Sequence, residues 1–474
     1  MALPNTHYGA EKIGALLSGR PRLFFDGIGG ISMNALAHIS HLQGFDVSGY
    51  DRTPSPITEK LEKMGIPVYY TASESHLYDR DALIYTVAMA EDNPEYHYAV
   101  THGIPVISRA DFLGYLMHGF TNRIGVSGTH GKSTTTGMLS QILTTAMVDP
   151  TVIGGAEMKQ SDSVDIIGAR EYFVFEACEY MDSFLDFYPT VAVVLNIELD
   201  HVDYFPSLDA IRTSFTAFMN KTGETGYAVV NADDTDCIRA LDGYIGHAVT
   251  FGRENPSCDY RAELISSDHG RYAFRVHHHG KTTDVIRLQV PGVHCVLDGT
   301  AAFAAASVCG IPDDAIVRGL SAYRGIVRRM DEMGRSPSGA AVFADYAHHP
   351  TEIAATLAGC AKMGYRKTVV VFQSHTYSRT SELFGDFRAA LAESAADEIV
   401  LCPIYAARET NIYGVSAEGL GTAIRESGKS CTVCDSLQDA ARVANAHTGE
   451  DDMILVMGAG DVIQVAEELV GAQH

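Results

Sequence analysis

Short apolar runs alternate with stretches of helical spacing along most of the chain, and that alternation predicts parallel sheets covered by helices. In the first series Arg22 to Phe25 reads as a strand, Gly27-Ile-Gly29-Gly30 as a turn and Ser32 to Leu42 as a helix, before a second strand over Phe45 to Tyr50. Such an opening belongs to nucleotide-binding sheets, but it departs from G-x-G-x-x-G, because Gly30 follows Gly29 directly and Ser32 takes the last glycine position. A second series starts with the strand Arg123 to Val126 and continues through Tyr172 to Phe175, Thr190 to Leu195 and Tyr227 to Val230, each ending in polar residues. Alternation between Ala262 and Val290 predicts an antiparallel hairpin turning near Gly280, with His277, His278 and His279 at a solvated tip. Successive strand side chains point to opposite faces, so that triple cannot converge on a metal. A third series repeats the strand–helix unit over Ala341 to Ala344, Thr368 to Phe372, Glu398 to Leu401 and Met453 to Val456.

The expected fold is therefore α/β in three domains, residues 1–119, 120–320 and 321–474. The outer two are expected to be Rossmann-like. The middle one is expected to be a parallel sheet with an antiparallel hairpin, P-loop ATPase-like because Gly128-Thr-His-Gly131-Lys132-Ser133 follows its first strand. A chain of 474 residues, 46% hydrophobic and 20% charged, can bury ample core without disulfides. Lys plus Arg number 35 against 59 Asp plus Glu, and the net charge of −24 argues against nucleic acid or anionic lipid as a partner. The nine cysteines are scattered, mostly within apolar runs, which fits reduced thiols. Cys431-Thr-Val-Cys434 has no second pair to complete a zinc site and reads as part of a strand. The first residues carry neither a basic start nor an apolar stretch, and no run reaches the ~18 apolar residues of a membrane span, so a cytoplasmic location is expected.

The strongest chemical signal is Gly128-Thr-His-Gly131-Lys132-Ser133, which follows a strand and precedes the helical run Thr134 to Met147. Glycines let backbone amides close around phosphate oxygens, a helix N-terminus adds positive potential, lysine neutralises the β/γ-phosphates and a hydroxyl can ligate magnesium. The spacing is one feature short of the usual loop, with Val126 where a first glycine would stand. Glu176 directly follows the strand ending at Phe175, and His201 comes soon after the strand ending at Leu195. A carboxylate and an imidazole at neighbouring strand ends suit divalent cations bridging nucleotide phosphates.

These residues resemble the Mur ligase family, and the resemblance covers nearly the whole chain. It is carried by Gly27 to Ala37, Gly128 to Thr136, Glu176-Ala-Cys-Glu-Tyr180, Asn196 to His201, Asn231-Ala-Asp-Asp234, Asp345 to Ile353, Gln373 to Thr380 and Met457-Gly-Ala-Gly-Asp461. The run Asp-Tyr-Ala-His-His-Pro-Thr-Glu from Asp345 resembles the branch that adds the first amino acid to the sugar. The resemblance implies an ATP- and Mg²⁺-dependent enzyme that activates UDP-N-acetylmuramate as an acyl phosphate and couples it to L-alanine. It further implies that Gly128, Thr129, His130, Gly131, Lys132, Ser133 and Thr134 hold ATP, with Asp298 toward adenine. Ser133, Glu176 and His201 would ligate magnesium, and His130 would lie near the acyl phosphate. Arg329 and Asp345 would contact nucleotide phosphate and ribose after domain closure. Gly27, Gly29, Gly30 and Asp51 would face the UDP-sugar, and Tyr346, His348 and Arg379 the amino acid.

Two positions depart from the family pattern. Cys295 and Asp298 stand where it has asparagine; an amide both donates and accepts, whereas a carboxylate only accepts. Weaker or less base-selective ATP binding is the expected consequence. Ser133 replaces threonine but keeps its hydroxyl. Two other readings compete. One is a divergent paralogue with another amine or UDP-sugar; the other is a nucleotide-binding regulator without catalysis, against which the joint presence of Lys132, Glu176 and His201 argues.

Overall fold

The structure is a computed structural model that describes residues 3–19, 22–86, 89, 92–159, 163–199, 201, 204–407 and 409–471. Three α/β sheets follow one another along the chain. The first is all parallel, in the order Val68–Tyr69, Asp46–Tyr50, Arg22–Asp26, Ala82–Tyr85, Val106–Ser108. Arg22–Asp26 is central, so the loop Gly27 to Gly30 opens at the carboxyl end of a buried strand. The second sheet sets Asn122–Ser127 between Tyr172–Glu176 and Val191–Val194, all parallel, with Tyr227–Asn231 and His247–Gly252 continuing beyond. Val191–Val194 is buried throughout, as parallel strands covered on both faces are. The third sheet runs Asp331–Arg335, Ala341–Asp345, Met453–Met457, Thr368–Phe372, Glu398–Leu401, Cys431–Val433, antiparallel only at its first pair.

The chain forms two compact units: residues 1–264, 274–286 and 294–323, and residues 265–273, 287–293 and 324–474. The first unit contains the first sheet and most of the second. One apolar cluster runs from Ile13 to Ala240 through both, Phe120 stacks on Phe173 with centroids 4.6 Å apart, and His7 pairs with Asp186 at 2.7 Å. The second unit has its own core on both faces of the third sheet.

The expected hairpin exists: His277 and His278 pair with Thr282 and Lys281 across the turn at His279 and Gly280. The histidines are not a uniformly solvated tip, however. His278 is 6% exposed, lies parallel to the Tyr260 ring and meets Asp313 at 3.1 Å, because its strand position faces the helix His294–Val308 rather than water. Its neighbours follow the period of two and stay more exposed, His277 against Glu263 at 2.8 Å. All nine cysteines are free; burial pushes the Cys431 thiol up to about 11. Among the described residues no helix is long and apolar enough to cross a membrane.

Candidate active site

Strand Asn122–Ser127 delivers the chain into the loop Gly128 to Gly131, and helix Lys132–Thr145 starts immediately after it. Gly131 sits in the left-handed region at φ 85°, and a Cβ on it would lie 2.6 Å from Asp298 Oδ1, so both conformation and space demand glycine. No side chain caps this helix, which leaves its first-turn amides facing the loop for an anion. The loop is held from outside. The His130 amide donates to Asn196 Oδ1 at 2.7 Å, Asn196 Nδ2 donates to the His130 carbonyl at 3.0 Å, and the Glu198 amide donates to Thr129 Oγ1 at 3.0 Å. Asn231 Nδ2 in turn donates to the Leu195 carbonyl at 2.9 Å, and Asp234 caps the helix Thr235–Arg239. Asn196 and the Asn231 to Asp234 run are thus the scaffold of the loop.

Lys132 donates to the carbonyls of Gly128 and Thr129 and, at 3.2 Å, to Glu179 Oε2. His130 is largely exposed, 3.7 Å from Glu198. Ser133 and Thr134 begin the helix, half-buried. Glu176 closes its strand, and one carboxylate oxygen accepts from the Gly155 amide at 2.7 Å. His201 has φ 51° and packs its ring 4.6 Å from that of Tyr180. Asp200, in the same motif, lies outside the described residues.

Among the described residues no three His, Cys, Asp or Glu side chains form a cluster able to hold a metal by themselves. The Ser133 hydroxyl and the Glu176 carboxylate are nevertheless donors of the kind a hard divalent cation takes, one or two oxygens from the protein with water and phosphate completing its shell. Asp298 is buried behind Gly131, where burial pushes its carboxyl, the Cys295 thiol and the Tyr323 phenol well above their usual ranges.

Sequence reasoning missed Glu179. Its side chain is 0% exposed, and it reaches Lys132 with one oxygen and approaches His201 Nε2 at 3.9 Å with the other. The signal is faint, since Glu179 lies in a quoted motif but past the strand end.

In the amino-terminal sheet the amides of Gly27 and Ile28 donate to the Tyr50 carbonyl, and the Gly29 amide donates to Asp51 Oδ2 at 2.8 Å. Gly30 starts helix Ile31–Leu42 without a side-chain cap. Gly27, Gly29 and Gly30 therefore share one strand-end loop, and Asp51, just past the end of the neighbouring strand Asp46–Tyr50, braces it.

In the second unit Asp345 ends its strand, is 5% exposed and accepts from the amides of Met330 and Ala347 at 2.8 and 2.9 Å; burial raises its carboxyl. Arg329 lies close enough to oppose that rise, while Arg328, not singled out from the sequence, stacks over the Tyr346 ring at 4.8 Å. His348 contacts Glu352 at 3.4 Å, and Glu352 closes a capping box with His349 on helix Pro350–Cys360. His375, also unassigned from the sequence, lies between the rings of His348 and Tyr405, and burial, then Arg379, lowers its pKa. A cavity of about 330 Å³ opens nearby, lined by Gln373, Tyr405 and Asp461 among others. Tyr346, His348 and Arg379 are thus grouped at the carboxyl ends of the third sheet, where ligands gather in such folds.

Three family models match in order: the Mur ligase family catalytic domain over residues 24–121, the Mur ligase middle domain over 126–306 and the Mur ligase glutamate ligase domain over 328–460. The chain is 41% identical to the UDP-N-acetylmuramate–L-alanine ligase of Caldicellulosiruptor bescii over 442 residues, covering 93% of this chain and 96% of that one. It is 40% identical to the ligase of the same name from Clostridium novyi, covering 97% and 99%. Among solved structures, the UDP-N-acetylmuramate-alanine ligase of Thermotoga maritima matches with a TM-score of 0.75 and 29% identity, over 95% of this chain and 98% of that one. A murein peptide ligase from Psychrobacter arcticus matches at 0.64 and 26%, with coverage of 95% and 98%. With all three models in register and relatives matched almost end to end, the chain belongs to the Mur ligase family.

Proposed function

We propose that this chain is an ATP-dependent ligase joining L-alanine to the lactyl carboxylate of UDP-N-acetylmuramate, a step in building peptidoglycan precursors. The observation that carries the reading is the Lys132 loop at an uncapped helix N-terminus beside a strand-end carboxylate. Likeness to the L-alanine ligases supports these substrates.

A carboxylate resists attack because its leaving group would be oxide. Transfer of the γ-phosphoryl group to a carboxylate oxygen, with ADP leaving, makes an acyl phosphate. The amine of L-alanine then attacks the carbonyl carbon, the nitrogen loses a proton and phosphate departs. Loop amides from Gly128 to Thr134 hold the phosphates, and Lys132 steadies charge on the group in flight. Ser133, Glu176 and His201 would hold Mg²⁺, which supplies charge neutralisation between phosphates when bound. His130 would lie by the acyl phosphate, and Asp298, Arg329 and Asp345 would serve the nucleotide. Gly27, Gly29, Gly30 and Asp51 would serve the UDP-sugar. Tyr346 and His348 would face the amino acid, whose carboxylate Arg379 would pair.

The test is phosphate release from ATP with UDP-N-acetylmuramate and each amino acid in turn. Release with L-alanine alone, abolished by EDTA and restored by Mg²⁺, is expected. Release with a different amine would make this a paralogue, and none with any would remove the reading. Lys132→Ala is expected to lower turnover by at least ~10²-fold, since a preorganised charge on a transferring phosphoryl group contributes on the order of 3 kcal/mol or more.

A further inference from the structure

Lys132 has three N–H donors, and all three are engaged: by the Gly128 carbonyl, the Thr129 carbonyl and Glu179 Oε2. Two of these acceptors belong to the loop and are neutral. The third is a carboxylate with no exposed surface, delivered from a different segment. A buried carboxylate is costly unless paired, and Lys132 is the cation that pairs it. Its other oxygen, Oε1, accepts no hydrogen bond among the described residues and lies 3.9 Å from His201 Nε2.

The turn that follows Glu179 is held by identifiable contacts. Met181 and Asp182 both adopt left-handed backbone, at φ 53° and 54°, which turns the chain back immediately after Glu179. Asp182 fixes that turn: its amide donates to the Glu179 carbonyl at 2.9 Å, and its carboxylate accepts from Ser214 Oγ and, at 2.7 Å, from Tyr204 Oη. Non-glycine residues keep such a conformation only when their surroundings over-determine it, and such strain gathers at functional sites.

We infer that Glu179 is a positioning residue for the reaction, a buried counter-charge that fixes the Lys132 ammonium within the loop. It acts through the lysine and touches no substrate. The role rests on the ligase reading proposed above, but it also makes a claim about nucleotide binding that stands without knowledge of the sugar or the amine. Because the carboxylate occupies one lysine donor and repels incoming phosphate, removing its charge leaves nucleotide affinity intact or improved while the lysine loses its aim.

The experiment compares the full-length chain with Glu179→Gln, Lys132→Ala and the double variant. Glu179→Gln is expected to lower kcat tenfold or more, with ATP binding, measured calorimetrically with a non-hydrolysable ATP analogue, as tight as in the parent or tighter. Structural damage would weaken both together. Adding Glu179→Gln to Lys132→Ala is expected to change kcat less than twofold, since the effect runs through the lysine. A full tenfold loss in the Lys132→Ala background, or weaker analogue binding by Glu179→Gln alone, would overturn the inference, as would an undiminished kcat. If Glu179→Gln does not fold by thermal melting, Glu179→Asp, which keeps the charge on a shorter stem, takes its place. Intermediate turnover with parental analogue affinity is then expected, and parental turnover overturns the inference. If the parent chain itself releases no phosphate with any sugar and amine, the ligase reading fails. In that case the analogue comparison still decides whether Glu179 opposes nucleotide at Lys132.

Discussion

Asp26 ends the first strand with a carboxyl that is 4% exposed and accepts from Asn93 Nδ2 at 2.7 Å. Burial, reinforced by the nearby Glu95, pushes its pKa up to about 7, against an ordinary value of 3.8. The folded chain therefore keeps a proton that the unfolded chain has lost, and stability falls as pH rises from about 4 toward 7. Asp26→Asn keeps an acceptor for Asn93 without the charge. It is expected to melt above the parent at about pH 8 and level with it near pH 4, which thermal melts across that range would check. The same scale separates what sequence can announce from what it cannot. Lys132 is legible because its loop has a fixed local pattern between a strand and a helix. Glu179 is not, because its importance comes from a left-handed turn at Met181 and Asp182 that no residue type there demands. Arg328 and His375 escape notice likewise, since ring contacts with Tyr346 and Tyr405 arise only in the folded unit.

Among elements, strand and helix positions follow the apolar pattern closely: the runs beginning at Arg22, Tyr172, Tyr227 and Thr368 are strands in the structure, each buried over most of its length. Continuous apolar runs are what parallel strands between two helix layers require, so the fold class can be read from pattern alone. Support between elements is harder to read. Asn196 grips His130 through both its amide oxygen and its amide nitrogen, and nothing in local spacing says so. Each such hydrogen bond contributes about 0.5–1.5 kcal/mol, so Asn196→Ala is expected to weaken ATP binding roughly tenfold by loosening the loop. Unchanged ATP affinity in a calorimetric titration would show that the loop holds its shape unaided. The histidine hairpin shows the opposite limit. Pattern places the turn, but whether one ring is wet or dry depends on the helix His294–Val308 behind it.

For the molecule as a whole, grouping by compactness does not simply follow chain order. The boundary between units falls after Tyr323, yet residues 265–273 and 287–293 belong with the carboxy-terminal unit. There Arg271 pairs with Glu332, the His269 ring lies 5.0 Å from that of Tyr365, and Gly270 packs against Met363. A fragment of residues 324–474 would lose all three contacts. It is expected to fold, to melt below the corresponding transition of the full chain and to bind a hydrophobic dye more strongly. An identical melting temperature would show that those strand tips add nothing to the unit.

The grip of Asn196 on the loop also bears on how the protein is made. His130, within the loop, is translated 66 residues before the Asn196 side chain that holds it, and Asn231, which donates to the Leu195 carbonyl, comes later still. A nascent chain released as far as helix Lys132–Thr145 therefore carries the motif without the cradle. The loop can take the hydrogen-bonded form it has in the folded chain only once the sequence through Asn231 has left the ribosome.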